Sequence, residues 1–536
     1  MADLILYNGR VYPGAGISAE AIAIKGNRIE ALGTTQMIRT MAGAGCEQID
    51  LGGRCVLPGF IDTHCHVMAA GMEAVKLPLR GTASIAELIS RGRAFIAEKH
   101  IPEGAWILGG GYDHNLFPEG RQPDRHDLDA ISTKHAILIE RVCGHIGAAN
   151  TLALEQTGFD EHTVIEGEGG IMPRDPDGHL SGVLVETALD VIKRAMPRTS
   201  LAEAEEAVRR TFREASRVGL TSMHTDDLEI APLDTMLRAY REIIEEGDAT
   251  IRIWEEIQCP RPDILQAFLE RGRRTGDGSP FFKIGNIKLL TDGSLGARTA
   301  YMRADYADDP GNRGVNVYTQ EALDEMALLA HRAGMQIACH AIGDGAIAQC
   351  VHALGKAWRS DRIDLRNRIV HCQFPDEALL DEMAQNHICS DVQPAFVSSD
   401  HPIVTARLGS RERTAYPWRS MLDKGILIGG SSDCPVETFD PVWGIHCAVN
   451  RTDADDLPSG GWHPEQKLTT AQAVDIFTRA GACLSLEEKE KGSLQPGYLA
   501  DLAVLDRDIF RIPAQEIRYC KNVMTVSDGR IVYRDF

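Results

Sequence analysis

Two histidines separated by one residue follow an apolar segment near the start of the chain. Residues 57–61 read Leu-Pro-Gly-Phe-Ile, and the next five read Asp-Thr-His-Cys-His. Side chains alternate along a β-strand, so His64 and His66 would point to the same side of one. Neutral imidazole nitrogen is a good zinc ligand. The spacing alone favours two ordinary structural histidines, whereas a position at the end of a barrel strand favours a metal.

Other short apolar segments lead directly into His340, His371 and Asp433. A single histidine at a strand end is more often structural than a ligand. The strands of one barrel, however, all end at one mouth, where several such residues converge. A convergent set of imidazole and carboxylate groups is typical of a catalytic zinc site with an open position for water.

Lys288 lies inside the apolar segment 283–290. Strands of a parallel barrel are buried on both faces, and an unpaired ammonium group there tends to lose its proton. A neutral lysine amine can take up CO₂ as a carbamate, which bridges two metal ions as a carboxylate does. The alternative is an ion pair with Asp292, which has the same strand parity. The spacing does not decide between the two.

The elements that would position these residues form a repeating pattern. Eight apolar segments predict strands, and several of the stretches between them have the period of helices, as in 201–218 and 321–333. Alternating strands and helices indicate a parallel sheet, and eight such units indicate a closed (β/α)₈ barrel. The predicted strands are 56–61, 220–223, 250–257, 283–290, 336–340, 368–371, 388–392 and 427–431.

The alternation of strands and helices is interrupted once, and a different pattern occurs at both ends of the chain. The chain between the first two predicted strands is too long for one helix, so we interpret residues 71–197 as a subdomain inserted over the barrel mouth. Residues 1–55 and 485–536 alternate apolar and polar residues around turn signals. We expect both ends to form one composite β-sandwich domain, with the barrel at 56–484.

Composition limits the class of protein. The chain has 536 residues, a formal net charge of −21 and 43% hydrophobic residues. An acidic surface disfavours nucleic acid and anionic membranes as partners. We see no signal peptide and no apolar run of membrane-spanning length. Thirteen cysteines occur without disulfide-type or zinc-ribbon spacing. We therefore expect a cytoplasmic protein that acts on a small molecule.

At these residues the chain resembles the amidohydrolase superfamily, and within it amidohydrolase family 3, the group of YtcJ-like and N-substituted formamide deformylase-like proteins. The similar motifs occur in the same order along nearly the whole chain. They are residues 53–66, 288–296, 340–344, 430–436 and 492–501.

The resemblance implies a TIM barrel with a composite β-sandwich domain, a small-molecule substrate and a homodimer. It also implies zinc or a similar divalent ion. One metal would be held by His64, His66 and Asp433, and a second by His340 and His371. A carboxylated Lys288 would lie between them, and an unmodified Lys288 would leave one metal.

The inserted segment has a further element of the resembled family, a Gly-His followed by Asn-x-x-Ala-Leu at 144–154. His145 would reach over the mouth and act on the substrate. The alternative is a helix start in which Asn150 or Thr151 is the cap. Asp292 and Arg298 are further candidates for substrate binding, although Asp292 could instead order the turn at 293–296.

The expected reaction is hydrolysis of a C–N bond in an amide-type compound, such as an N-formyl, N-acyl or cyclic amide. Asp433 would take a proton from the attacking water as general base and return it to the leaving nitrogen as general acid. One alternative is hydrolysis of an ester, lactone or phosphoester at the same metals. Another is a regulatory protein that keeps only the fold. The complete ligand set favours an enzyme.

Overall fold

The computed structural model describes residues 1–14, 19–141, 146–163 and 170–536. The chain forms two compact units. One comprises Met1–Gly71 and Ser200–Phe536, and the other comprises Met72–Thr199. Within the described residues, no helix has both the length and the apolar character needed to cross a membrane.

Eight parallel strands of the first unit form the predicted (β/α)₈ barrel. They are Phe60–Cys65, Leu220–Thr225, Arg252–Gln258, Phe282–Leu290, Gln336–Ala341, Arg368–His371, Cys389–Val392 and Ile428–Gly430. Neighbouring strands pair in this order, from the first to the eighth. Beyond the last strand, the backbone N–H of Asp433 donates to the carbonyl of His64 at 2.9 Å. The eighth strand is thereby joined to the first at the carboxyl end, as a barrel requires.

Helices follow most of the barrel strands, and several of them bury one apolar face. The helix Leu201–Arg217 begins at Ser200, whose side chain accepts from the backbone N–H of Glu203 in a capping box, and its buried face includes Val208 and Phe212. The remaining α-helices of this unit are Thr35–Arg39, Val67–Glu73, Leu233–Glu245, Pro262–Leu269, Gln320–Arg332, Asp344–Asp361, Glu377–Gln385, Phe396–Leu408, Trp418–Asp423, Pro441–Asn450, Thr470–Ile476 and Arg479–Leu484.

The first barrel strand differs from the sequence prediction. The predicted strand 56–61 is two strands, Cys55–Pro58 and Phe60–Cys65, which belong to different sheets. The break falls at Gly59, where an added Cβ would lie 2.2 Å from Oγ1 of Thr221. The backbone can therefore cross from one sheet to the other only where no side chain is present. The other seven predicted strands begin and end within two residues of those observed.

Both ends of the chain contribute to two sheets that share one apolar core. The first sheet contains Arg28–Gly33, Ala21–Lys25, Ala2–Tyr7 and Ala42–Asp50, in that order. The second contains Arg10–Val11, Cys55–Pro58, Leu502–Leu505, Asn522–Ser527 and Arg530–Arg534. Leu6 and Ile24 of the first sheet pack with Val56, Val504 and Met524 of the second. This arrangement is a β-sandwich built from distant parts of the sequence.

The second unit is a small α/β unit with its own core. Its sheet contains Val183–Val185, Ile146–Ala149, Ala136–Arg141, Trp106–Tyr112 and Leu77–Pro78, in that order. Its α-helices are Ile85–Lys99, Arg125–Asp129, Thr151–Gln156 and Thr187–Ala195. Asn150 is the N-cap of the helix Thr151–Gln156 and accepts from the backbone N–H of Ala153. The predicted helix start is therefore present in this unit.

A buried ion pair connects the barrel to the C-terminal strands. Arg252, the first residue of the third barrel strand, donates to both carboxylate oxygens of Asp501 at 2.8 and 3.2 Å. The same guanidinium group donates to Asp528 at 2.8 Å. The side chains of Arg252 and Asp501 are 3% and 4% exposed. Removal of one partner from such a pair leaves a buried charge without compensation.

We expect Asp501→Ala to lower the free energy of unfolding by about 3 kcal/mol, because Arg252 would lose the carboxylate that accepts two of its hydrogen bonds and keep Asp528 as its anionic partner. Glu47→Gln is the matched control. Glu47 pairs with Arg534 at 3.3 Å, but both side chains are largely exposed, so its loss should cost under ~1 kcal/mol. Denaturant titration followed by circular dichroism measures both values. Equal losses of unfolding free energy in the two variants would mean that the buried pair does not join the barrel to the C-terminal strands.

Candidate metal centre

Three potential metal ligands meet at the carboxyl end of the barrel. His64 lies in the first strand, His66 directly follows it, and Asp433 follows the eighth strand. The Nε2 atoms of His64 and His66 lie 3.4 and 3.3 Å from Oδ1 of Asp433. One ligand atom from each residue lies within 4.8 Å of the other two. The structure therefore brings these three residues together, as the sequence predicted.

The spacing and the charge of this cluster fit a metal ion. Ligand atoms at zinc distances from a tetrahedral ion lie about 3.3 to 3.6 Å apart, and the two measured separations are 3.3 and 3.4 Å. Burial alone would lower the pKa of His66, but the Asp433 carboxylate raises it to about 9. Although burial would raise the pKa of Asp433, hydrogen bonds from His64 and His66 hold it well below its usual range. The Asp433 carboxylate therefore favours a positive charge at this position, either a proton on the imidazole or a metal ion.

His340 and His371 lie beside the first cluster. Their ring centroids are 4.5 Å apart, and the His371 ring lies 5.7 Å from that of His64. Burial and the neighbouring His340 lower the pKa of His371 well below its usual value. His371 is therefore a neutral imidazole, which is the form that binds metals.

The four histidines share one feature that a metal site requires. Each ring directs Nδ1 at an acceptor of the protein, so a neutral ring would carry its proton on Nδ1 and keep the lone pair of Nε2 for a ligand. The acceptors are Glu256 for His64 at 3.0 Å, the backbone carbonyl of Asp226 for His66 at 2.9 Å, Asp292 for His340 at 3.0 Å and Gln393 for His371 at 2.8 Å.

Lys288 has a different partner from the one that strand parity suggested. Its Nζ lies 3.2 Å from Oε2 of Glu256 and 3.2 Å from Nε2 of His64. Asp292 does not pair with Lys288, because its two oxygens accept from His340 and from the backbone N–H groups of residues 301, 342 and 343. Lys288 is buried and lies next to the candidate ligand His64, as the sequence indicated.

The candidates for substrate contact lie in different environments. The Asp292 side chain has no solvent exposure, and its hydrogen bonds fit an orienting function for His340 better than a contact with substrate. Arg298 forms a two-point ion pair with Asp308 at 3.1 and 2.9 Å. His145 lies outside the described residues.

Sequence reasoning missed the residues that support the ligands. Glu256 is fully buried near the end of the third barrel strand and contacts His64, Lys288 and Arg368. Gln393 follows the seventh strand and holds His371. The sequence held one signal for these supporting residues, which was a pair of adjacent glutamates inside an apolar strand. A carboxylate that is buried there must have a partner.

The sequence profile of the amidohydrolase family matches residues 47–533. The chain belongs to this family. It is 30% identical to the putative amidohydrolase YtcJ of Bacillus subtilis over 97% of its length and 96% of that protein. It is 26% identical to the N-substituted formamide deformylase of Arthrobacter pascens, over 99% of this chain and 98% of that one.

Solved structures have the same architecture. A metal-dependent hydrolase from Pyrococcus furiosus superposes with a TM-score of 0.79 at 26% identity, covering 95% of this chain and 100% of that one. Atrazine chlorohydrolase from Arthrobacter aurescens has a TM-score of 0.55 at 14% identity and shares the fold alone. By family and by fold, the chain is a metal-dependent hydrolase of the amidohydrolase superfamily.

We expect Asp292→Asn to weaken metal binding by about 10 to 100-fold, because an amide cannot accept all the hydrogen bonds that orient His340. Arg298→Ala should bind metal like the wild type, since Arg298 pairs with Asp308 instead of a ligand. Competition with a chromophoric chelator measures both affinities. A normal metal affinity in Asp292→Asn with a raised KM would instead indicate that Asp292 contacts substrate.

Proposed function

We propose that this protein hydrolyses a C–N bond in a small amide-type compound, such as an N-formyl, N-acyl or cyclic amide. His64, His66 and Asp433 would hold one divalent ion, and His340, His371 and Lys288 would complete a second site. The observation that carries this proposal is the set of four imidazoles beside Asp433, each with Nδ1 directed at a protein acceptor.

Ligand chemistry supports zinc as the metal. Imidazole nitrogen and carboxylate oxygen are ligands that zinc accepts in catalytic sites, whereas calcium and magnesium prefer oxygen alone. When bound, such an ion supplies Lewis-acid charge that favours ionisation of water and polarises a carbonyl group. The relative named N-substituted formamide deformylase supports an amide-type substrate.

Asp433 is the residue that would move the proton. Its carboxylate keeps 11% exposure and lies against His64 and His66, so it borders both the ligands and the solvent. It would accept a proton from the attacking water and return it to the nitrogen of the cleaved bond. An amine is a poor leaving group until it is protonated, so this second transfer matters as much as the first.

The test is a hydrolysis screen of the purified protein before metal removal, after chelation and after return of zinc. The compounds would be N-formyl amines, N-acyl amino acids, cyclic amides, esters and lactones. We expect amide cleavage that is lost on chelation and restored by zinc. Cleavage of esters or lactones alone would overturn the proposed bond type. Elemental analysis that finds well under one equivalent of metal, with no turnover after zinc is added, would favour a regulatory protein instead.

Asp433→Asn should lower kcat by about 10² to 10⁴-fold in this assay, because an amide of the same shape cannot accept the proton. Since Asp433 is also a proposed ligand, the metal content of the variant is measured beside its rate. A variant with normal metal content and nearly normal kcat would show that another group moves the proton, and His145 would be examined next.

We also propose that Lys288 is carboxylated. The modified Nζ keeps one N–H, and Oε2 of Glu256 at 3.2 Å would accept it. We expect a carbamate carbon signal in the ¹³C NMR spectrum of zinc-loaded protein prepared with labelled bicarbonate, and no such signal in Lys288→Met. A zinc-loaded wild type without the signal at neutral pH would mean that Lys288 remains an ammonium paired with Glu256.

A further inference from the structure

We propose that Glu256 is a positioning residue of the metal centre. Its carboxylate would keep the proton of His64 on Nδ1, hold Nζ of Lys288 in place and connect both to a rigid ionic network inside the barrel. This inference rests on the proposed function in one respect, because it takes His64 to be a metal ligand. The residues of the network are Glu256, Lys288, Arg368, Asp391 and Asn286.

The two oxygens of Glu256 face in different directions. Oε2 lies 3.0 Å from Nδ1 of His64 and 3.2 Å from Nζ of Lys288, on the side of the metal centre. Oε1 accepts from the guanidinium group of Arg368 at 3.0 Å, on the side of the barrel interior. One fully buried carboxylate therefore joins a proposed ligand to the interior.

The contact with His64 decides which ring nitrogen can bind a cation. Nε2 of His64 faces Asp433 at 3.4 Å, and to bind the proposed ion this nitrogen would have to keep its lone pair. A carboxylate at Nδ1 favours the tautomer with the proton on that nitrogen and makes Nε2 more basic. Without an acceptor at Nδ1, a buried imidazole has no such preference, and the proton could occupy the ligand position.

Arg368 fixes the position of Glu256. Its side chain is fully buried and donates to Asn286 at 2.8 Å, while its Nε lies 2.8 Å from Oδ2 of Asp391. These partners come from the fourth and seventh barrel strands, and Arg368 itself is on the sixth. While Lys288 is unmodified, two buried cations, Lys288 and Arg368, balance two buried anions, Glu256 and Asp391. Such balance is needed because an unpaired buried charge is strongly destabilising.

The test compares Glu256→Gln with Asp391→Asn. Both carboxylates are fully buried and both contact Arg368, but Glu256 alone of the two is hydrogen-bonded to His64 in the part of the chain that the structure describes. We expect Glu256→Gln to bind cobalt or zinc about 10 to 100-fold more weakly and to change the visible absorption bands of the cobalt-loaded protein. Asp391→Asn should lose a similar amount of stability yet keep wild-type affinity and bands.

Equal losses of metal affinity in the two variants would overturn the inference, since they would show only a general effect of the buried network. A wild-type affinity in Glu256→Gln would overturn it as well. His64→Asn separates this inference from the proposed function. If His64→Asn binds metal as well as the wild type, the proposed metal site itself is wrong.

A second comparison applies if Glu256→Gln does not fold. The double variant Glu256→Gln with Lys288→Met removes the carboxylate together with the side chain that pairs with it, so Arg368 and Asp391 remain as a balanced pair. The double variant should bind cobalt about 10-fold more weakly than Lys288→Met alone. Equal binding by these two variants would show that Glu256 does not act through His64.

Discussion

The closure of the barrel is the constraint on which the site depends. The backbone N–H of Asp433 donates to the carbonyl of His64 at 2.9 Å, although these residues come from opposite ends of the barrel sequence. Beside this bond, Ser432 donates from its backbone and its hydroxyl to Asp62 at 3.0 and 2.5 Å. The bonds that close the sheet are thus the bonds that bring Asp433 to His64 and His66. A shift between the first and eighth strands would separate the ligands directly.

Below this closure, the interior of the barrel contains charged side chains, whereas most barrel cores are filled by apolar ones. Lys288, Arg368, Glu256 and Asp391 are all buried, and each charge has an opposite partner from another strand. Replacing such a group with an apolar one of similar size often costs little by itself, so stability alone does not explain the network. The network instead determines position, because its contacts from several strands hold Glu256 and Lys288 beside His64.

The sequence predicted which strand ends meet in this centre, but it did not predict the contacts between side chains. The convergence of His64, His66, His340, His371 and Asp433 was predicted because strand ends of a parallel barrel must converge, and their binding of metal stays a prediction. The supporting contacts were not predicted, because strand parity shows which side a residue faces but not its partner across the barrel. Parity therefore suggested Asp292 for Lys288, whereas Glu256 from the neighbouring strand is the partner. The break at Gly59 was missed for a similar reason, since it depends on the distant side chain of Thr221.

Exposure also gives the centre an inner and an outer side. His64 and Lys288 are 2% and 1% exposed, whereas the side chains of His66, His340 and Asp433 are 22%, 16% and 11% exposed. The outer side, which includes Asp433, is the side from which a substrate of the proposed reaction would approach. The inner residues, including Glu256, can act only through the position and basicity of the ligands. The proposed proton transfer by Asp433 requires a residue of the outer side, and the substrate of the proposed reaction would meet loops at the barrel mouth, where no strand pattern fixes the residues.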